Sequence, residues 1–219
     1  MTVTPEQIRD ALPAFESQAG TESSPLWQPE PFVCPIVARL VESFLIWEAS
    51  VTRARRSLEI IANEIVDLNE LRVCLPTEMI GIVGVRYPRS RERCERIRIG
   101  LNTIFDRENC LELCNLAELS KRDSRAYFDS LPGMVPYVSA RIVLLEFGGH
   151  AFPVDSRVQS HLRSIGCEST SEGALAGKIE RIFRAGELAP LHSALEQALD
   201  NPPSPSSEKA SAKSGSHLK

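Results

Sequence analysis

Four groups of side chains stand where their type and spacing could support chemistry. The first is Asp155, in Pro153-Val154-Asp155, directly ahead of an apolar-periodic run through Val158, Leu162 and Ile165. An aspartate so placed is a favoured helix N-cap, because its carboxylate accepts from the unpaired N–H groups of the first turn. The second is Tyr137, whose phenol, with an ordinary pKa near ~10, is read as a half-buried helix residue with its hydroxyl at the surface. The third is a run of six arginines in thirteen residues: Arg86, Arg89, Arg91, Arg93, Arg96 and Arg98, opposed only by Glu92 and Glu95. Two readings of that run stand side by side. Arg91–Glu95 and Glu92–Arg96 can pair at i, i+4 on a solvated helix face, or the excess can face phosphates. The fourth group is the cysteines, Cys34, Cys74, Cys94, Cys110, Cys114 and Cys167. Only Cys110 and Cys114 lie close together, so free thiols are expected and neither a disulfide framework nor a metal site is.

These groups need elements to hold them. Leu131-Pro132-Gly133 is a tight turn whose glycine is free to take φ > 0. Val138, Ile142 and Leu145 follow at the spacing of one buried helix face, and Gly148-Gly149 ends that helix as a C-cap. Upstream, Val37, Leu40, Val41, Phe44 and Leu45 form one apolar stripe, and Leu58, Ile61, Ile65 and Leu68 a second. Ile80–Val85 is apolar and glycine-punctuated, strand-like but without an evident partner. Ser90 is placed to cap a helix whose buried face is Cys94, Ile97, Leu101 and Ile104. Leu111–Leu119 and Arg122–Phe128 read as two short helices. Ser169-Thr170-Ser171-Glu172 reads as a capping box for a helix carrying Leu175, Ile179 and Ile182. A last helix carries Leu188, Leu191, Leu195 and Leu199.

At the ends, Thr4-Pro5-Glu6-Gln7 predicts a short helix to about Leu12, and residues 17–32 an irregular arm pinned by Trp27 and Phe32. From Asn201 onward the composition is too polar to fold. The organisation expected is therefore residues 1–33 as helix and arm, 34–200 as a helical domain, and 201–219 as a tail. The fold class is all-α, with about ten helices. A net charge of −4 excludes a wholesale nucleic-acid binder, so any DNA contact must come from a local patch. No apolar run is long enough to cross a membrane, and the N-terminus lacks the basic and apolar regions of a signal peptide. A cytoplasmic monomer is expected, nucleoid-associated if it binds DNA.

The order turn, helix, glycine break and carboxylate in Leu131–Val158 resembles the helix-hairpin-helix and Gly/Pro-Asp core of the endonuclease III superfamily of DNA glycosylases. There the motif reads L-P-G-h-G-x-(K/S/Y)-x-A, with h apolar, followed after the helix by V-D-(T/S)-x-V. The Gly133-to-Asp155 interval matches that register without a gap. The resemblance implies a two-lobed helical fold with the hairpin at the cleft. It implies that Asp155 stabilises the oxocarbenium-like charge at C1′, or activates water, while a damaged or mismatched base leaves. Bifunctional members carry a lysine where Tyr137 stands, and its amine forms a Schiff base. A phenol cannot, so a monofunctional hydrolase is implied. Gly133, Met134 and Val135 occupy the phosphate-binding turn, where the family has Gly-h-Gly. Glu48 stands where the family has a gap-filling glutamine, and Arg157 where it often has histidine. Arg89 falls on a family lysine. Only Cys167 follows Asp155, so the iron–sulfur cluster of many relatives is not expected, nor is any other cofactor. The partner implied is double-stranded DNA, held weakly through its backbone. The alternative of a different class is a non-catalytic relative serving as a DNA- or protein-binding module.

Overall fold

The structure, a computed structural model, describes residues 35–201 except 112, 114, 115, 117 and 168–170. The helix expected at 4–12, the arm at 17–32 and the tail beyond 201 lie outside the described residues. Within them the chain is all-α, with ten helices and no strand: α1 Pro35–Ile46, α2 Val51–Glu64, α3 Leu68–Val73, α4 Pro76–Val83, α5 Ser90–Glu108, α6 Lys121–Asp129, α7 Pro136–Phe147, α8 Ser156–Ser164, α9 Glu172–Ile182 and α10 Ala185–Asp200. No described helix is long and apolar enough to cross a membrane.

Two apolar clusters divide the interior. The larger gathers α1, α2, α5 and α7 around Val37, Leu40, Phe44, Leu58, Ile97, Leu101, Val138 and Ile142. The smaller joins α8, α9 and α10 to the end of α7 through Leu144, Phe152, Val158, Leu162, Leu175, Ile179, Leu188, Leu191 and Leu195. Helix α1 runs through the middle and is buried from Ile36 to Ile46. Burial on every side forces its polar residues into pairs, because an unpaired charge there would go unsolvated. Arg39 donates to Glu42 (2.9 Å) and to Glu146 (2.6 Å), and Arg141 of α7 donates to Glu42 (2.6 Å) and to the Ser43 hydroxyl (2.9 Å). These bonds fasten α7 to α1 along the face that carries Tyr137.

Several elements differ from expectation. Ile80–Val83 is the last turn of α4 and not a strand; Gly84 then takes φ +106°. Leu68 opens α3, because Asp67 caps a new helix after Ile65 has ended α2. Ser90 does not cap α5. Arg89 does, in the left-handed region (φ +51°), while the Ser90 hydroxyl donates to the Gly84 carbonyl at 2.9 Å. Between 111 and 119 the described residues make tight turns rather than an α-helix, with Leu116 N–H on Leu113 and Leu119 N–H on Leu116. The cap of α9 is Ser171, accepting from the Ala174 N–H, and the proposed cap Ser169 lies outside the described residues.

At the hairpin the expectations hold. Gly133 has φ +76°, Pro136 is the first residue of α7, and Gly148 ends it at φ +55°. An added Cβ on Gly133 would meet Ile99 and Arg96, so the turn lies directly on α5.

Candidate functional site

Asp155 caps α8 as its position in the sequence predicts. One carboxylate oxygen accepts from the Val158 N–H (3.0 Å). The other accepts from the Glu48 N–H (2.9 Å) and from Arg157 Nε (2.8 Å). Asp155 is 0% exposed. A carboxylate can be buried this deeply only if donors replace its water, and three do.

The loop that brings Glu48 here follows from the end of α1. Arg93 is wholly buried and donates to the carbonyls of Phe44, Trp47 and Pro88, which pins the last turn of α1 to α5. Burial lowers the Arg93 pKa to about 10, a sign of how far its charge is from water. Beyond Trp47 the chain must reverse, and Glu48 does so with φ +54°. Its carboxylate then accepts from the Ser156 N–H (3.1 Å) and the Ser156 hydroxyl. Glu48 and Asp155 therefore cap each other's segments reciprocally: the backbone of one feeds the side chain of the other.

Tyr137, one residue into α7, is 1% exposed, and its hydroxyl donates to Glu196 of α10 at 2.7 Å. The expected surface hydroxyl is not there. Burial raises the tyrosine pKa well above its ordinary value, and the nearby Glu196 raises it further. Glu196 is raised as well, by desolvation, against the pull of Arg157 and the Tyr137 hydrogen bond. Arg157 joins the two halves, with Nε on Asp155 and a second nitrogen 3.4 Å from Glu196. Burial works against its charge, but Glu196, Tyr137 and Asp155 outweigh that and raise its pKa above the ordinary arginine value. The chain of contacts is Glu48–Asp155–Arg157–Glu196–Tyr137. Asp155 and Tyr137 thus share one closed polar network, and neither opens to solvent.

The arginine run is divided. Arg86, Arg89 and Arg91 are exposed, Arg89 pairing with Glu92 (3.1 Å) and Arg91 with Glu95 (3.8 Å). Arg96 pairs with Glu92 (2.8 Å) and donates to the Gly133 carbonyl (2.6 Å), linking the patch to the hairpin. Arg93 is not part of any surface patch, because its guanidinium is spent on three carbonyls. In the hairpin turn the Met134 N–H is used by the Leu131 carbonyl, and Val135 precedes α7 without a side-chain cap. Sequence reasoning missed Glu196. Its signal was present, since it lies four residues after the buried His192 on the inward stripe of α10. It also missed Arg53, Arg55 and Arg56, which are exposed in the first turns of α2.

No family model and no curated protein matches this sequence. Solved structures do. A non-covalent endonuclease III–DNA complex superposes with a TM-score of 0.67 at 16% identity, over 90% of this chain and 86% of that one. The fold is that of endonuclease III. Two further structures agree. An H. pylori 3-methyladenine DNA glycosylase bound to 1,N6-ethenoadenine has a TM-score of 0.61 at 14% identity, over 89% of this chain and 97% of that one. A thermostable thymine-DNA glycosylase also reaches 0.61 at 14% identity, over 92% and 89%. In this endonuclease III fold the helix-hairpin-helix is Lys121–Phe147, and Asp155 opens the helix that follows.

Proposed function

We infer that this protein acts in DNA base excision, hydrolysing the glycosidic bond of a damaged or mismatched base. The observation that carries this reading is the Asp155 carboxylate, fixed by three donors at the start of α8 where the two apolar clusters meet. As the C1′–N bond breaks, its electron pair leaves with the base. Asp155 opposes the positive charge left on the sugar, water adds at C1′, and the proton that water sheds goes to the departing base. No lysine belongs to the network; Tyr137 has no amine to form an imine, and its hydroxyl is committed to Glu196. The reaction should therefore stop at an intact abasic strand.

Duplex binding would come from the exposed Arg86, Arg89 and Arg91 together with the hairpin turn Gly133-Met134-Val135. It should be weak, steeply salt-dependent and indifferent to sequence. The second reading, a binding module without catalysis, is favoured by one feature: Asp155 is entirely enclosed in the unbound protein.

A panel of duplexes, each with one damaged or mismatched base, tests the two readings. Base release without strand nicking, and without a borohydride-trapped adduct, supports monofunctional excision. A trapped adduct would contradict the role given to Tyr137. Release that survives Asp155→Asn would reduce Asp155 to a cap, and duplex binding with no release on any lesion would favour the binding module. Changing Arg86, Arg89 and Arg91 together to Glu should weaken binding to every duplex and flatten the salt slope by about 2–3. An unchanged slope would make the patch a solvated face.

A further inference from the structure

Beside the closed network lies an open groove of about 550 Å3, lined by Ser50, Arg53, Pro88, Arg157, Ser160 and His161. Arg157 is shared between network and groove: it is half-buried, with its side chain 18% exposed, while the Asp155 it pairs with is 0% exposed. The Arg157 Nε is on Asp155 and one terminal nitrogen lies 3.4 Å from Glu196, so turning both terminal nitrogens onto an anion in the groove would take Nε from Asp155. Glu48 lines the groove but turns its carboxylate onto the Ser156 N–H and hydroxyl. Asp200, next to the lining residue Leu199, accepts from the Thr52 N–H and hydroxyl through Oδ2 at 2.8 Å each, while its enclosed Oδ1 has no hydrogen-bond partner among the described residues. Neither pairs with the guanidinium of Arg53, which stands exposed on the wall. His161 also lines the groove, and its Nε2 is enclosed with no hydrogen-bond partner among the described residues. Two guanidinium groups and two serine hydroxyls around one open space suit a tetrahedral oxyanion, since guanidinium forks match phosphate oxygens.

We propose that this groove takes a phosphate group of the DNA backbone, and that the phosphate uncovers Asp155 by competing for the Arg157 guanidinium. Arg157 is then a positioning residue. In the free protein it holds the carboxylate paired and shut; with DNA docked it holds the strand and leaves the carboxylate to the sugar. The phosphate site stands on the groove alone, whereas the use made of the uncovered carboxylate rests on the excision reading. The arrangement also accounts for an enclosed Asp155 in a chain meant to act on a nucleotide, because the site opens only with its substrate in place.

The Arg157 Nε–H signal in a 15N–1H NMR spectrum of the full chain, assigned by its loss in Arg157→Lys, reads the latch directly. The probes are a plain duplex, the same duplex with a tetrahydrofuran abasic analogue, and inorganic phosphate at matched phosphate concentration. The duplexes should shift this signal and speed its exchange with water, and inorganic phosphate should do so far less. Arg53→Gln should remove the duplex effect while leaving the free-protein signal in place. An Arg157 signal unmoved at saturating duplex overturns the proposal. An equal response to inorganic phosphate overturns the DNA backbone as the source. Failure of the latch separates from failure of the excision reading. Base release with a static Arg157 signal sinks the latch alone; a mobile signal with no base release on any lesion sinks excision alone.

Discussion

Replacing Asp155 by Asn tests the site most severely, because the substitution keeps the shape and opposes two of its three hydrogen bonds. The asparagine oxygen can still accept from the Val158 N–H, so the helix cap, worth about 1 kcal/mol, survives. The amide nitrogen then meets the Glu48 N–H and Arg157 Nε–H, donor against donor. Hydrogen bonds to a charged acceptor contribute about 1.5–3 kcal/mol each. Stripping a buried ion pair of one partner costs about 3–5 kcal/mol. These figures describe the same loss from two sides and are not added. A destabilisation of about 3–5 kcal/mol follows, a large share of the ~5–15 kcal/mol that holds an ordinary domain folded. At about 2–4 °C per kcal/mol for a chain of this size, Tm should fall by roughly 6–20 °C.

Urea melts at neutral pH measure the loss, with Glu95→Gln as the control. That change breaks only the exposed 3.8 Å pair with Arg91 and should cost under about 1 kcal/mol. In an Arg157→Gln background the orphaned charge is gone, so Asp155→Asn should be milder by about 0.5–3 kcal/mol. Should Asp155→Asn cost no more than Glu95→Gln, the ion pair and the reciprocal cap contribute nothing, and the description of the site is wrong. Base release by Asp155→Asn must accordingly be assayed below the variant's lowered melting point.

Other outcomes are equally specific. His192 is buried against the edge of Phe152, and burial holds its pKa well below the ordinary value. The folded protein therefore refuses a proton that the unfolded chain accepts. His192 contributes its stability above about pH 6.5, and this is lost as pH falls, by up to ~1.4 kcal/mol per unit; His192→Gln should show a shallower acid slope than the parent, and an equal slope refutes this. Arg93→Ala abandons three carbonyls and should cost about 3–5 kcal/mol in urea, while Arg91→Ala should stay within about 0.5 kcal/mol; equal losses would overturn the division of the arginine run. Gly149→Ala would put its Cβ 2.4 Å from the Val143 Cγ1 and 3.1 Å from the Val143 carbonyl oxygen. Valine is stiff in a helix, so about 1–3 kcal/mol should be lost, and a neutral result would mean the turn can open freely.

Periodicity made most of the fold legible, because a helix with one buried face writes its spacing into the chain. The stripes at Cys94–Ile104 and Leu188–Leu199 are found where their spacing puts them. Local cap chemistry was less readable. Ser90 looked like a cap, yet Gly84 at φ +106° offers its carbonyl to the Ser90 hydroxyl, and the αL position fell to Arg89. The stripe through Leu58 and Leu68 ran across a helix break, because burial continues on one face while the backbone turns at Ile65. At the site, Asp155 was legible as a cap, from its place directly ahead of an apolar-periodic run. Its closure was not. Arg157, Glu196 and Glu48 come from three distant segments, and no spacing within one helix says that they meet. Arg93 shows the same limit: among six arginines only packing decides which one is spent inside.

The electrostatics of the closed network explain why Arg157 must move if Asp155 is to act. Unit charges about 4 Å apart at an effective dielectric near 20 interact by about 4 kcal/mol, roughly a thousandfold in rate if spent on a transition state. A carboxylate already bonded to a guanidinium at 2.8 Å is half of a dipole, and little of that field reaches a sugar cation beyond it. Removing Arg157 from the chain is no substitute for moving it. Asp155 and Glu196 would then lose the guanidinium between them, and Glu196, already raised by desolvation and left with only the more distant pull of Arg141, would be driven further toward its neutral form. Stability in the free protein and charge in the working site therefore make opposite demands on one guanidinium. A phosphate in the adjoining groove meets both, because it supplies the arginine with a new anion as the carboxylate is released.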